Sequence, residues 1–403
     1  MSDRPRVVQR LTGAFQRFVA LEALSTILLL AATVVALALA NSPLHDAYEH
    51  FLHLPLSLRA GSFALELSLG HFVNDALMAI FFFVVGMEIK RELVQGELSS
   101  PSRAALPIFG ALGGMIAPAG LYAALHWGGP AISGWGIPMA TDIAFAVAAL
   151  GVFGARVPSG LKVFLLALAI ADDIGAVVVI ALFYAAGIAP QWLAVAAAAL
   201  ALCFLLKRAG VRSYGAYFLV GTVVWYAMLK SGVHATIGGV LLGLLTPARP
   251  LEGAEHAPTD DLIHRLHPWV AFGIMPVFAL CNAGVALDAS SLGDASAQRV
   301  AAAVVLGLLL GKPLGITLFA WLAVRVGVAE LPRGVDWSQI AGAGLLAGIG
   351  FTVALFIAAL AFVEGHLVAG AKVGILVASL LATVLGAAWL ARVLPRSANS
   401  GVS

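Results

Sequence analysis

Leu161-Lys-Val-Phe-Leu-Leu-Ala-Leu-Ala-Ile-Ala-Asp-Asp-Ile-Gly-Ala-Val-Val-Val-Ile-Ala-Leu-Phe-Tyr184 sets two adjacent carboxylates, Asp172 and Asp173, in the middle of an otherwise apolar run. A hydrocarbon core about 30 Å thick needs about 20 apolar residues per helix, and positions 161–184 meet that length. The same ruler finds further candidates along the chain, near 16–40, 72–93, 104–126, 134–154, 191–206, 214–227, 233–246, 268–285, 300–323, 338–363 and 371–394. The spans at 214–227 and 233–246 are short, and at about 14 residues reach only about 21 Å, so neighbouring helices must shelter them. The expected fold class is an all-α polytopic membrane protein with about 12 transmembrane helices.

Composition agrees. Of 403 residues, 61% are hydrophobic and 11% charged, against about 45–50% and about 25% in soluble domains. That excludes a soluble enzyme, a disordered chain and a disulfide-stapled secreted domain. Forty-three glycines and 18 prolines suit transmembrane helices, which carry more of both than soluble ones. A net charge of +2 gives no reason to expect a nucleic-acid partner. Cys203 and Cys281 lie in apolar runs and read as small core residues. Nothing calls for a cofactor.

Orientation follows from Lys and Arg. An inside amino terminus puts Arg4, Arg6, Arg10, Arg17, Lys90, Arg91, Arg103, Arg156, Lys162, Lys207, Arg208, Arg212, Arg249, Arg265, Arg325, Arg333, Arg392 and Arg396 on one side. Only Arg59, Lys230, Arg299 and Lys372 fall on the other. Both termini are therefore expected in the cytoplasm. The first apolar run is long and lacks a small-residue cleavage site, so it reads as a span and not as a cleaved signal. The chain then forms a single transmembrane domain over 1–403, with cytoplasmic tails at 1–15 and 395–403, a periplasmic loop at 42–70 and a cytoplasmic loop at 246–267. Within the periplasmic loop, His53-Leu-Pro-Leu-Ser-Leu-Arg-Ala-Gly-Ser-Phe-Ala-Leu-Glu-Leu67 alternates apolar and polar residues about Arg59-Ala-Gly-Ser62, a β-hairpin pattern. An isolated hairpin is marginal in water, so a pairing partner is expected.

An ionisable group at bilayer depth is costly unless paired or hydrated, and by default marks function. Asp142, Asp172, Asp173 and Lys312 lie at such depth, with Glu88 nearer one end of its span. Asp75 lies near the other end of that span and can face water. Successive helical residues point about 100° apart, so Asp172 and Asp173 can open on one cavity while serving different partners. Two like charges this close cannot both ionise cheaply, and the pair titrates as a coupled unit. Such a site holds a proton or a small hard cation, whose preferred ligands are oxygens. Lys312, in Gly311-Lys-Pro-Leu-Gly315, has Asp172 or Asp173 as an obvious ion-pair partner.

Two spans are interrupted. Gly134-Trp-Gly-Ile-Pro-Met-Ala-Thr-Asp-Ile-Ala-Phe145 carries Gly and Pro just before Thr141 and Asp142, and Gly342-Ala-Gly-Leu-Leu-Ala-Gly-Ile-Gly-Phe-Thr-Val353 repeats the theme. Paired breaks in two halves of a chain point to a transporter's central site. The exposed half-helix ends carry partial charges, which Asp142 can neutralise where positive and Lys312 where negative. His234, His264 and His267 are able to titrate near neutral pH, although each alone reads as structural before functional.

These stretches together resemble the NhaA-type sodium/proton antiporter family. The resemblance rests on Asn74-Asp-Ala-Leu-Met-Ala-Ile-Phe-Phe-Phe-Val-Val-Gly-Met-Glu-Ile-Lys-Arg-Glu92, Ala140-Thr-Asp-Ile-Ala-Phe145, Asp172-Asp173, Ser231-Gly-Val-His-Ala-Thr236, His267-Pro-Trp269, Gly311-Lys-Pro313 and Gly350-Phe-Thr352, in the family's order along nearly the whole chain. It implies inverted-topology repeats and two discontinuous helices that cross. It implies Asp173 as the main cation ligand, Asp172 as its neighbour in ion and proton exchange, Lys312 as partner of Asp172, and Thr141 and Asp142 at the crossing. It ties Glu88, Lys90, Arg91 and Glu92, with His264 and His267, to pH response, and the hairpin at 53–67 to a homodimer contact. Ile263 stands where the family often has an acid in its pH-sensing cluster.

The activity so implied is secondary active transport in a bacterial inner membrane. Two external protons enter for each cytoplasmic Na+ or Li+ that leaves, serving sodium and pH homeostasis. The alternatives are a proton-coupled transporter of another small cation and an intramembrane protease. The protease needs opposed acids, usually from different helices, whereas the strong pair here shares one helix. A lysine inside a span also admits a retinal-type pump, against which the span count and paired breaks argue. A cation channel would show no proton coupling.

Overall fold

The computed structural model describes residues 24–60, 63–185, 187–250, 255–287 and 293–395. Arg4, Arg6, Arg10, Arg17 and Arg396, positions 16–23 of the first expected span and the tail positions 1–15 and 396–403 lie outside the described residues.

The chain is built almost entirely of helices. In order these are α1 (Leu24–Ala40), α2 (His45–Leu52), α3 (Leu69–Gln95), α4 (Pro101–Leu125), a 3-10 half-helix (Pro130–Met139) followed by α5 (Ile143–Gly151), α6 (Ser159–Phe183), α7 (Pro190–Arg208), α8 (Tyr214–Ser231) and α9 (Ala235–Leu245). There follow α10, made of Pro258–Trp269, a π turn Val270–Ile274 and Met275–Asn282, then α11 (Ala295–Arg325), α12 (Trp337–Ala347), α13 (Phe351–Ala361) and α14 (Gly365–Val393). Among the described residues six helices, α3, α4, α6, α7, α11 and α14, are long and apolar enough to cross a membrane. Counting each bent pair as one span raises this to nine: α1 with α2, bent by 118°, the 3-10 half-helix with α5, by 40°, and α12 with α13, by 49°.

Three local features depart from expectation. The connection after α1 holds a helix, α2, whose Tyr48 is buried and donates to the Leu280 carbonyl at 2.6 Å. The span expected at 214–227 runs on to Ser231 and stops where Gly232 takes φ 80°, a left-handed conformation that glycine adopts without penalty. Helical structure also begins at Pro258, inside the 246–267 connection, with Asp260 and Asp261 favourable in the first turn. Beyond α2, β1 (Pro55–Ala60) pairs antiparallel with β2 (Phe63–Ser68), in a register running from Pro55↔Ser68 to Ala60↔Phe63; positions 61 and 62 lie outside the described residues.

In lipid, helix association rests on close packing, which small residues permit. One helix group joins α3 with α7–α10, and a second joins α4, α6, α11 and α14 around the two broken pairs. In the first, a Cβ added to Gly239 of α9 would meet the Ala79 carbonyl oxygen of α3 at 2.2 Å. In the second, a Cβ on Gly113 of α4 would meet the Gly315 carbonyl oxygen of α11 at 2.1 Å. Both contacts are backbone on backbone. Gly311 closes a π turn, Gly307–Gly311, directly before Lys312, and such turns recur at functional sites.

Candidate ion-binding site

The two helix breaks lie side by side. Ala140 and Asp142 are extended between the 3-10 half-helix and α5, while Gly348, Ile349 and Gly350 separate α12 from α13. The breaks are joined by the Asp142 amide, which donates to the Ile349 carbonyl at 2.7 Å. Four half-helix ends therefore meet in one buried place, and each has a hydrogen-bonding side chain within reach.

Asp142 serves the two amino-terminal ends. Its Oδ1 accepts from the Phe145 amide of α5 at 3.3 Å, and its Oδ2 accepts from the Thr352 amide of α13 at 3.1 Å and from the Thr352 hydroxyl. One carboxylate thus caps both positive ends. At the opposite ends, Lys312 Nζ donates to the carbonyl of Met139, the last residue of the 3-10 half-helix. The Thr141 hydroxyl lies 2.9 Å from the Ala347 carbonyl that ends α12 and 2.7 Å from Asp172 Oδ2. It has one proton, so it donates to one of the two at a time.

α6 brings the paired acids to this crossing. Lys312 Nζ and Asp172 Oδ2 are 2.8 Å apart, and both side chains are wholly buried. Asp172 Oδ1 is also buried but has no hydrogen-bond partner among the described residues. An acceptor left in that state is costly, so a proton or a cation beside it would be stabilised. Asp173 is 8% exposed and, among the described residues, has neither hydrogen bond nor ion-pair partner; the charges of Asp172, Glu88, Asp142 and, with opposite sign, Lys312 act on it. With Asp172 matched by Lys312, the Asp173 carboxylate has no ion-pair partner of its own among the described residues and lies among the charges of Asp172, Glu88 and Asp142. Carboxylate oxygens suit a small hard cation or a proton.

The structure therefore gathers Asp172, Asp173, Thr141, Asp142 and Lys312 from distant parts of the chain. Of the other predicted residues, Glu88 lies near enough for its charge to act on Asp173. Glu88 is half-buried on α3; Lys90 and Glu92 are half-buried and Arg91 exposed towards the end of the same helix. On α10, which packs against α3, His264 is exposed, His267 is half-buried and Ile263 is buried. His234 Nε2 lies 3.0 Å from the Tyr184 carbonyl. Cys203 and Cys281 are buried thiols. Sequence reading assigned no role to Thr352 beyond the Gly350-Phe-Thr352 match, nor to the carbonyls of Met139 and Ala347, because backbone partners leave no trace in residue type.

Comparison with known proteins places this architecture. A family model described as Na+/H+ antiporter 1 matches residues 16–390. A protein of Myxococcus xanthus named Na(+)/H(+) antiporter NhaA 2 is 48% identical, with 98% of this chain and 93% of that one aligned. The Na(+)/H(+) antiporter NhaA of Shewanella loihica is 47% identical over 95% of this chain and 98% of its own, and that of Escherichia coli 48% over 93% and 97%. The fold also resembles the solved sodium proton antiporter MjNhaP1 of Methanocaldococcus jannaschii, with a TM-score of 0.54 at 13% identity, covering 95% of this chain and 98% of that one. With the family model and these full-length relatives in agreement, the chain belongs to the Na+/H+ antiporter 1 family, of NhaA type.

Proposed function

We propose that the protein is a secondary active transporter, and not an enzyme, that exchanges cytoplasmic Na+ or Li+ for external H+ across a bacterial inner membrane. Asp173 is the principal cation ligand and Asp172 its partner in ion and proton exchange. Thr141 adds a hydroxyl oxygen, Asp142 steadies the crossing, and Lys312 is the charge partner of Asp172. The observation that carries this reading is the buried Asp172–Lys312 pair at 2.8 Å beside an Asp173 that has no such partner among the described residues.

The mechanism is competition. Protons occupy the acid pair from outside, the crossing moves, and a cytoplasmic cation displaces them and leaves outward. Moving one bundle against the other while the ligands keep their places gives alternating access. With two protons entering per cation, one net positive charge moves inward, and a negative interior drives it with about 2.3 kcal/mol per 100 mV. The charged groups Glu88, Lys90, Arg91 and Glu92, with His264 and His267, adjust activity to pH, in a setting altered by Ile263.

Around this site the reading places twelve spans as one transporter domain with inverted-topology repeats, both termini and the 246–267 connection in the cytoplasm, and the 42–70 connection in the periplasm. A homodimer forms through the strands at 53–67. The excess of Lys and Arg on one side supports the orientation, and the antiparallel pair β1 and β2, whose outer edges are unpaired among the described residues, supports the dimer contact.

The test is Asp173→Asn in proteoliposomes. Na+-driven proton flux is expected to vanish while the protein still folds; flux equal to the parent's would refute the assignment.

A further inference from the structure

α13 starts without a cap of its own. Its N-cap position is Gly350, which has no side chain to accept from the first amides. α5, the other half-helix starting at the crossing, is capped by its own Asp142. Even so, the first two amides of α13 are satisfied. Thr352 donates to Asp142 Oδ2, and Phe351 donates to Ser379 Oγ of α14 at 3.3 Å. Ser379 is 7% exposed, Phe351 3% and Thr352 1%. With all three buried, water has no ready access to take over such a donor.

α14 is well placed for this work. It is unbroken over 29 residues and seats closely on both neighbours of the crossing. A Cβ on Gly374 would meet the Ala301 carbonyl oxygen of α11 at 2.7 Å, and one on Gly386 would meet the Leu346 side chain of α12 at 2.6 Å. Its final carbonyls are held as well. Arg156, which follows α5, donates to the carbonyls of Ala391, Leu394 and Pro395 at 3.1, 3.3 and 3.0 Å. One continuous helix thus touches the start of α13 and the segment that follows α5.

We propose that Ser379 is a positioning residue of the ion site, supplying from α14 the amino-terminal cap that α13 lacks. It fixes the depth of α13 so that the amide and hydroxyl of Thr352 both reach Asp142, and so keeps that carboxylate across the two half-helix ends. Ser379 acts through Asp142 and does not touch the ion. The inference rests on the exchange reading above for its transport consequences, but not for its structural ones.

The experiment compares full-length parent, S379A and S379T. Na+ KM and turnover are measured in proteoliposomes across pH, and hydrogen–deuterium exchange is followed at the Phe351 amide in detergent. Loss of one cap corresponds to about a five-fold change in a local equilibrium. S379A is therefore expected to raise the Na+ KM about five-fold and to speed exchange at Phe351 by a similar factor. S379T, which keeps the hydroxyl, is expected to restore both. If S379A fails to reach the membrane, S379C fills the site with a side chain of the same shape but a weaker acceptor and carries the same amide readout. Parent-like KM and amide exchange in S379A, or an S379T as impaired as S379A, would overturn the proposal. A parent without Na+-driven proton flux would overturn the exchange reading instead, while the amide measurement still decides the role of Ser379.

Discussion

Lys312 on α11 reaches Asp172 on α6 across the crossing, Nζ to Oδ2 at 2.8 Å, and the same ammonium donates to the Met139 carbonyl. One cation thereby balances a carboxylate and the negative end of a half-helix. Because neither side chain touches solvent, removing one partner leaves the other as an unpaired buried charge, at a cost of about 3–5 kcal/mol. Lys312→Met should lower stability by about that amount, and Lys312→Met with Asp172→Asn should recover much of it. Unfolding of the two single variants and the double variant in detergent gives the coupling energy; strictly additive losses would contradict a direct pair.

Asp142 should prove graded in its sensitivity. Asp142→Ala strips an acceptor from the Phe145 amide and from the Thr352 amide and hydroxyl. Each buried donor left unserved costs about 1–3 kcal/mol. Asp142→Asn retains one acceptor oxygen, so it should weaken Na+ binding and stability less than Asp142→Ala. Titration of Na+ against both purified variants checks the order, and equal behaviour would show that the carboxylate is not bridging the two ends.

The contact of α4 with α11 should tolerate no side chain at its tightest point. At Gly113 even a Cβ would fall 2.1 Å from the Gly315 carbonyl oxygen, and backbone cannot swing aside. Gly113→Leu is expected to sharply reduce folded protein in the membrane. Gly120→Leu on the same helix, where a Cβ meets nothing within 4 Å, should accumulate normally. Quantifying monodisperse protein after detergent extraction separates the two outcomes.

Alkaline stability should carry a signature of Tyr48 in α2. Burial first, then the Cys281 and Glu49 charges, push its phenol above the usual value, which is about 10. The folded chain then keeps a proton that the unfolded chain releases. This contribution is whole below pH 10 and declines as pH climbs toward the raised folded value, at up to about 1.4 kcal/mol per pH unit. Tyr48→Phe loses the hydrogen bond to Leu280, about 1 kcal/mol below pH 10, but escapes the decline. Parent and variant stabilities should converge above pH 10 in unfolding measured against pH, and a constant gap would contradict the assignment.

Much of this was legible in residue order. Run lengths and the burial of Asp172 and Asp173 in apolar sequence gave a membrane protein with a charged centre, and Gly134–Pro138 and Gly342–Gly350 marked the breaks. Residue order alone leaves Lys312 either acid as partner and the family resemblance implies Asp172, which is the carboxylate that Lys312 meets in the fold. What stayed hidden depends on contacts remote in sequence or on backbone. Nothing in Ser379 announces that its hydroxyl serves Phe351, 28 positions away. The π turns at Val73–Leu77, Val270–Ile274 and Gly307–Gly311 add one residue to a turn, too little to disturb an apolar pattern. α2 escaped notice because its polar face reads as a loop, and the burial of Tyr48 exists only once Leu280 lies beside it.

On the proposed mechanism, Asp172 and Asp173 hold hydrogen ions and alkali cations in alternation. Calorimetric titration of Na+ into purified protein, repeated in buffers of different ionisation heat and at several pH values, counts the protons released per cation bound. The account predicts release on binding and an apparent Na+ affinity that weakens as the solution is made more acidic, with both effects lost in Asp173→Asn. Na+ binding that is indifferent to pH and releases no protons would contradict it.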